Sequence, residues 1–408
     1  MADVEVLALA DDLSGANEVA AVLGGLRDRS APGARPEQPG RARATSVRLD
    51  AASLRLQEPG PGVVVGVTDN RRRTAEEAAA HLARVLGEAV TARPDAVLLK
   101  FDSLLRGHVG AQLAAARRLA PVLFCPAVPA LGRTVRDGVL RVDGVPLHEG
   151  SLWAAEPAPP AGSVPAQLAP APVRHLDLRT VRGPGLDQAL LRAAEGGAVA
   201  VADAETAGDL DRLAAAGMRQ GHVLAGASGI AAALASRLPA DAPGEGRART
   251  PHVTPQDILV VLGTASAAGR RQAAALAAEG VPVHRLRPEQ LAGFPLGTGG
   301  TVAVTVEAAV DPAISAAVNA ALTALTVRAH GGRHLVLSGG ETAHAVLDAL
   351  GITELTPLAQ AHPGAVVAAT ADGRLVTTRP GSYGSDTSLL EILSTVHALQ
   401  DTTRKVPS

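Results

Sequence analysis

Aromatic side chains are nearly missing from this sequence: three Phe, one Tyr and one Trp make up 1% of 408 residues. They are Phe101, Phe124, Phe294, Tyr383 and Trp153. Stacking platforms for single-stranded nucleic acid need aromatic faces under successive bases, so that class of partner is excluded. Strong charge of either sign is missing too. The formal net charge is −2, which leaves no basic field to hold DNA or RNA. Cysteine is limited to Cys125, which rules out an internal disulfide framework and any cysteine-rich zinc site and fits a reducing compartment. No apolar run approaches the roughly 18–20 residues that span a bilayer. The first residues are acidic where a signal peptide would be basic. The expectation is a cytoplasmic protein with neither membrane nor nucleic acid as partner.

Hydrophobic residues are plentiful, at 47% against 19% charged, so a large aliphatic core of Ala, Val and Leu can form, and the length suits two domains. Short β-branched runs alternate with Ala/Leu-rich amphipathic stretches. The strand candidates are Val4–Ala10, Val63–Val67, Ala96–Lys100, Val122–Cys125, Ala198–Ala202, His222–Ala225, Ile258–Leu262, Thr301–Val306 and His334–Leu337. Nearly continuous apolar character suits buried parallel strands, with helices such as Ala75–Val90 and Ser266–Glu279 between them. The fold class is α/β, with two domains that each hold a mainly parallel sheet flanked by helices. Leu238–Gln256 carries four prolines and two glycines and reads as a linker. It separates a domain of residues 1–237 from one of residues 257–408. Arg29–Arg43, rich in Pro, Gly and Arg, is expected to be a mobile insertion, and Ala154–Pro172 a loop within the first domain.

Ligands of open α/β sheets collect at the carboxyl ends of strands. The first strand ends in Asp11-Asp12-Leu13-Ser14-Gly15. Adjacent carboxylates there suit proton acceptance from a hydroxyl, Mg²⁺ binding or a sugar diol, while a cap by Asp12 or Ser14 on the next helix is an equal reading. The Val63–Val67 strand leads to Asp69-Asn70-Arg71-Arg72-Arg73, followed by a capping box from Thr74 and Glu77. An arginine fork at a strand end grips carboxylates; Arg72 and Arg73 read as solvated, which leaves Arg71. After Ala96–Lys100 comes a dense polar set, Lys100, Asp102, Ser103 and Arg106, with Leu104 and Leu105 inside it. His108 reads as a solvated or capping residue. A fourth polar turn, Pro129–Thr134, offers Arg133 as a further anion contact.

The second half differs in style. Gly263-Thr264-Ala265-Ser266 and Ser338-Gly339-Gly340-Glu341-Thr342 each enter an Ala-rich helix, and Gly381-Ser382-Tyr383-Gly384 is a third glycine turn. Glycine permits close backbone approach, and a helix N-terminus offers free N–H groups, a combination suited to nucleotide phosphate. Walker A, strict G-x-G-x-x-G, H-E-x-x-H and protein-kinase signatures are absent. The near-elbow Gly226-Ala227-Ser228-Gly229-Ile230 lacks its last glycine, so Ser228 reads as a helix cap.

Taken in order, ADDLSGAN (Ala10–Asn17), TDNRRRTAEEA (Thr68–Ala78), LLKFDSLLRGHVG (Leu98–Gly110), PAVPALGRTVRDGVLRVDGVPLHE (Pro126–Glu149), AGASGIAAAL (Ala225–Leu234), GTASAAGRRQ (Gly263–Gln272), SGGETAHAVLDALGI (Ser338–Ile352) and RPGSYGSDTSLLEIL (Arg379–Leu393) resemble the four-carbon acid sugar kinase family. The resemblance implies an ATP-dependent kinase that phosphorylates the terminal hydroxyl of a threonate, an erythronate or a 3-oxo-tetronate. It also implies a sugar-acid-binding first domain, a nucleotide-binding second domain and a reaction in the cleft between them. On this basis Asp11, Arg71 and the Asp102–Arg106 turn, with Ser103, Leu104 and Leu105, match substrate-binding positions; the strand-end reading adds Lys100 and Arg133 as expected contacts and Asp11 or Asp12 as the expected catalytic base. Ser266, Gly339, Gly340, Glu341, Thr342, Gly381 and Gly384 are the expected ATP contacts, with Mg²⁺ on the phosphates and its protein ligands unassigned. Departures from the family pattern are Asn70 and Leu104 in the first half, Gly150 where a threonine is usual, and Arg379 where a lysine is usual. The competing readings are a non-catalytic sugar-acid sensor on the same scaffold and a nucleotide-dependent oxidoreductase. Ala/Leu-rich helix faces serve equally as core or as subunit interface, so a homodimer is compatible with the sequence.

Overall fold

The computed structural model describes residues 6–26, 43, 45–51, 62–150, 152–153, 158–238, 253, 256–263, 266–307, 312–381 and 384–404. The expected insertion lies outside these residues except for Arg43, and the expected linker except for Leu238, Val253 and Gln256. The chain forms two compact units, Met1–Gly24 with Asp50–Gly246, and Gly25–Leu49 with Arg247–Ser408.

The first unit is built on seven strands in the order Val63–Val67, Val6–Ala10, Ala96–Lys100, Val223–Gly226, Val122–Cys125, Val199–Ala202 and Val173–Leu176. Every pairing among them is parallel. The first strand, VLALA, is buried at all five positions, which is why it reads as an unbroken apolar run. The chain leaves it to one side for Val63–Val67 and then crosses to the other side for Ala96–Lys100. That reversal of strand order makes the carboxyl end of the first strand a topological switch point, the kind of place at which doubly wound sheets bind ligands. Helix Ala75–Ala92 shows how local sequence sets these elements. Thr74 and Glu77 form a reciprocal capping box, and Ala78, Leu82, Val85, Leu86 and Ala89 form the buried stripe. Phe101 and Phe124 meet edge to face, with centroids 6.2 Å apart, inside an otherwise aliphatic core.

The second unit holds a mixed sheet in the order Val283–Leu286, Val302–Val306, Ile258–Leu262, His334–Ser338, Leu375–Arg379, Ala365–Ala369, Glu354–His362 and Thr45–Arg48. The first five of these are parallel, and the last three are added antiparallel. Its core packs Ile258, Val260, Leu262, Val336 and Val367 against Leu389, Ile392 and Val396 of the helix Ser388–Arg404.

Three local details differ from the sequence reading. Arg133 lies not in a turn but on the first strand of a small antiparallel sheet, Arg133–Arg136, Val139–Val142 and Val145–Pro146. The hairpins turn at Asp137-Gly138 and Asp143-Gly144, all four with positive φ, a strong hairpin signal. Ala154–Pro172 is not loop throughout, since Val164–Gln167 is helical and capped by Ser163. Ser228 does not cap its helix: Ala227 holds the cap position and Ser228 is already the first helical residue. Among the described residues, no helix is long and apolar enough to cross a membrane.

Candidate functional site

Three strand ends in the first unit bring their polar residues into one network. Asp11 and Asp12 follow the first strand, Arg71 lies on the short 3-10 turn Asn70–Arg72 after its neighbour, and Lys100 ends the strand on the other side. Asp12 caps the helix Leu13–Leu23, its Oδ1 accepting from the Gly15 amide at 2.7 Å. It also takes part in the charge cluster, so the two readings of this residue hold together. The Arg71 guanidinium donates through Nε to Asp11 Oδ2 at 2.8 Å, through Nη2 to Asp11 Oδ1 at 3.1 Å and through Nη1 to Asp12 Oδ2 at 2.8 Å. Its Nη2 also lies 3.7 Å from Asp102 Oδ1. Gly15 leaves room for this network: a Cβ there would sit 2.6 Å from Asp12 Oδ1 and 3.0 Å from Lys100 Nζ and would make those side-chain ends shift.

The Asp102–Arg106 turn is organised by the Asp102 carboxylate. It accepts from the amides of Leu104 and Arg106 and takes a two-pronged grip from Arg106, with Nε and Nη2 each at 2.8 Å. Leu105 has φ of 63°, an uncommon conformation for a branched side chain, and it sits where the backbone folds around that carboxylate. Ser103 Oγ accepts from Arg133 Nη1, which ties the small antiparallel sheet to this turn. Glu18, unnoticed in the sequence, pairs with buried Lys100 at 3.3 Å. Its only local signal is being the lone acid in the apolar helix LSGANEVAAVL. His108 holds the N-cap position of Val109–Ala116 without a side-chain cap bond.

The electrostatics follow from burial and pairing. Burial raises the Asp11 carboxyl above its ordinary value, and the Asp12 charge adds to this against the pull of Arg71. Burial works against the Arg71 charge as well, but Asp11, Asp12 and Asp102 outweigh it and hold the guanidinium firmly protonated. For Lys100 burial is likewise overcome, first by Glu18 and then by Asp12 and Asp11, so its pKa is raised. Burial would raise Asp102, yet hydrogen bonds from Arg106 and the charges of Arg71 and Arg106 bring it far below the usual carboxylate range.

A pH prediction follows from Asp102. A carboxyl depressed in the folded state contributes stability above its unfolded pKa of about 4 and loses it as pH falls through the lower folded value. Melting temperature measured from pH 6 to pH 3 is expected to fall in wild type and to fall less steeply in Asp102→Asn. Asp209, held down chiefly by its hydrogen bond from Arg182, leaves part of the acid slope in that variant. Identical acid slopes in the two proteins would remove Asp102 from this account.

In the second unit, turns follow three adjacent parallel strands. The Gly263 amide donates to the Ser338 carbonyl at 3.1 Å, and the Gly339 amide donates to the Arg379 carbonyl at 3.0 Å, so each turn is fastened to the neighbouring strand end. Gly263 packs on the side chain of Thr342, where a Cβ would come within 2.2 Å of Oγ1. Gly339 has φ of 106° and caps the helix Gly340–Ala349, leaving Glu341 exposed and Thr342 buried. Ser266 caps Ala267–Ala278, its Oγ accepting from the Gly269 amide at 3.0 Å. Gln272 of that helix donates to the carbonyl of Ser385 at 2.9 Å, which ties it to the third glycine turn. The Gly381 carbonyl accepts from Arg379, and Gly384 has φ of 89°. Thr264, Ala265, Ser382 and Tyr383 lie outside the described residues.

One unit thus gathers carboxylates and arginines at a switch point, and the other gathers glycine turns at parallel strand ends. With relatives that are kinases, the chain is a phosphotransferase that acts on a hydroxyl acceptor. Residues 6–234 match the model of a sugar-binding N-terminal domain, and residues 298–389 match that of a nucleotide-binding C-terminal domain. The chain belongs to the four-carbon acid sugar kinase family. It is 33% identical to a D-threonate kinase of Cupriavidus necator over 94% of this chain and 96% of that protein. It is 31% identical to a 3-oxo-tetronate kinase of Methylobacterium radiotolerans over 92% of this chain and 95% of the relative. A solved structure from Salmonella typhimurium LT2 shares the fold, with a TM-score of 0.73 at 21% identity, covering 95% of this chain and 98% of the other.

Proposed function

We propose that the protein transfers the γ-phosphoryl group of ATP to the terminal hydroxyl of a four-carbon sugar acid, a threonate, an erythronate or a 3-oxo-tetronate, giving the 4-phosphate. The observation that carries this reading is the Asp11–Asp12–Arg71 cluster at the switch point, flanked by the Asp102–Arg106 turn. It offers carboxylates for hydroxyls and guanidinium forks for a carboxylate. Relatives named for D-threonate and 3-oxo-tetronate support the four-carbon length.

Exposure divides the roles within the cluster. The Asp11 side chain is 2% exposed and doubly bonded to Arg71, whereas that of Asp12 is 20% exposed. Asp12 is therefore the base: its Oδ2 exchanges Arg71 for the acceptor hydroxyl and takes that proton as the phosphoryl group arrives. Asp11 and Lys100 hold Arg71 and the neighbouring charge in place. The Arg106 side chain is 35% exposed, so its outer face meets the substrate carboxylate or the transferring phosphoryl group, with Arg133 and Ser103 alongside. Leu104 and Leu105 fill the turn behind them.

ATP is assigned to the second unit, with Ser266, Gly339, Gly340, Glu341, Thr342, Gly381 and Gly384 around its phosphates. The glycine-lined turns fit this ligand, since close backbone approach and helix N-termini are what a polyphosphate requires. Among the described residues no three His, Cys, Asp or Glu side chains converge as metal ligands. Mg²⁺ would be carried on the ATP phosphates, keeping most of its waters and neutralising charge during transfer.

The test is ADP release from ATP, and from GTP in parallel, across D- and L-threonate, D- and L-erythronate and a 3-oxo-tetronate. At least one acid is expected to raise ADP release far above the rate without acceptor. A folded protein whose ADP release no four-carbon acid stimulates would overturn the reading.

A further inference from the structure

Arg379 ends the strand Leu375–Arg379 and is fully buried, among the largest side chains so enclosed. Its guanidinium bonds four groups on elements that flank the glycine turns. Nε donates to Ser338 Oγ at 3.0 Å, at the strand end that leads into Gly339. Nη2 donates to Gln272 Oε1 at 2.6 Å, on the helix that Ser266 caps, and to the Gly381 carbonyl at 3.4 Å. Nη1 donates to Ser388 Oγ at 2.7 Å. That hydroxyl lies against Gly384, where a Cβ would come within 2.4 Å of it, and 2.6 Å from His362 Nε2. The His362 Nδ1 faces the Pro363 carbonyl, which can only accept, so in the neutral ring Nε2 accepts the Ser388 proton.

Every one of these partners is neutral, and among the described residues no carboxylate pairs with Arg379. Arg71, on the 3-10 turn after a strand, makes the contrast: it is surrounded by Asp11, Asp12 and Asp102. A buried, uncompensated cation is costly to a fold, and removing water from it leaves its field strong toward any anion that approaches. Burial alone acts on Arg379 and brings its pKa down to about 10, so it remains charged at neutral pH.

Resting on the assignment of ATP to this unit, we propose that Arg379 is a positioning residue that supplies the fixed positive charge for the nucleotide phosphates from beneath the glycine turns, acting through the neutral groups it holds. A lysine would keep that charge as one compact ammonium group but could not reach Ser338, Gln272 and Ser388 in a planar fork.

The test is calorimetric titration with adenosine, ADP and ATP of wild type, Arg379→Met and Arg379→Lys, each checked for folding by its thermal transition. ADP and ATP are expected to bind Arg379→Met at least 10-fold more weakly than wild type. Adenosine is expected to bind all three proteins within about 3-fold, and Arg379→Lys is expected to lose less than 5-fold for ADP. A purely structural strut would weaken adenosine as much as ADP and would make lysine as harmful as methionine; either result overturns the proposal. Wild type failing to bind ADP would instead overturn the nucleotide assignment, which keeps the two failures apart.

Discussion

Arg71→Ala is expected to lower stability by about 3 kcal/mol and turnover by about 100-fold or more. Removing one partner of a buried ion pair typically costs about 3–5 kcal/mol, because the other charge stays buried and uncompensated. Here the abandoned groups are Asp11 and Asp12, with Asp102 at longer range, all drawn together by a single guanidinium. Lys100 and Arg106 remain, which places the loss at the low end of that range. For a unit of this size it corresponds to a melting temperature roughly 6–12 °C lower. The sign of its pH dependence is also fixed. Asp11 already sits above the ordinary carboxylate range through burial, and without Arg71 it rises further. A carboxyl raised in the folded state binds more protons folded than unfolded, so the variant regains stability as pH falls toward 5. Arg71→Lys should recover part of the stability but not the two-pronged grip on Asp11. An alanine variant within about 1 kcal/mol of wild type at pH 7.5, by urea unfolding, would show that the cluster does not depend on this arginine.

The parallel strands were legible because they are buried on both faces and so appear as unbroken apolar runs. Val63–Val67, Ala96–Lys100, Val122–Cys125 and Ile258–Leu262 have the same limits in sequence and structure. Strand-end polar residues were legible for the related reason that nothing in a plain connector requires Asp11-Asp12 or Lys100 with Asp102 and Arg106. Pairings between distant segments were not. Thr45–Arg48 carries no local mark of belonging with Glu354–His362; the register Glu354 to Arg48 and Leu355 to Val47, with the Arg48–Glu354 ion pair, places it there. Arg133 reads as part of a turn because RTVR is short and polar, although Asp137-Gly138 and Asp143-Gly144 mark hairpins on either side of its partner strand. Glu18 and Lys100 lie far apart in sequence and meet only once the helix Leu13–Leu23 has packed. Arg379 stood out only as a departure from a lysine. Its meaning lies in Gln272, 107 residues earlier, and in the absence of a carboxylate among its partners, neither of which a sequence displays.

Asp12→Asn separates the chemical role of this residue from its structural one. Asparagine caps a helix about as well as aspartate, so the bond to the Gly15 amide survives and the helix Leu13–Leu23 keeps its start. Losing one of two adjacent carboxylates also relieves the repulsion that raises Asp11. Against this, with Oδ1 kept on the Gly15 amide the asparagine Nδ2 faces the Arg71 Nη1 donor in place of Oδ2, so a stability loss of about 1–2 kcal/mol is expected, smaller than for Arg71→Ala. Turnover should not survive in the same way, because an amide cannot take the acceptor proton: kcat is expected to fall by about 10²–10⁴, the usual range for removal of a general base. The acid's KM should stay within a few-fold, since Arg106 and the Asp102 turn are untouched. Asp11→Asn is expected to behave differently, with a larger loss of stability from leaving Arg71 short of its doubly bonded partner and with a raised KM. Steady-state kinetics of both variants, with melting curves alongside, decide the matter. A folded Asp12→Asn protein with wild-type kcat would exclude Asp12 as the base. If Asp11→Asn alone abolished turnover, the base would be Asp11, and the 20% exposure of Asp12 would reflect only its place at a helix start.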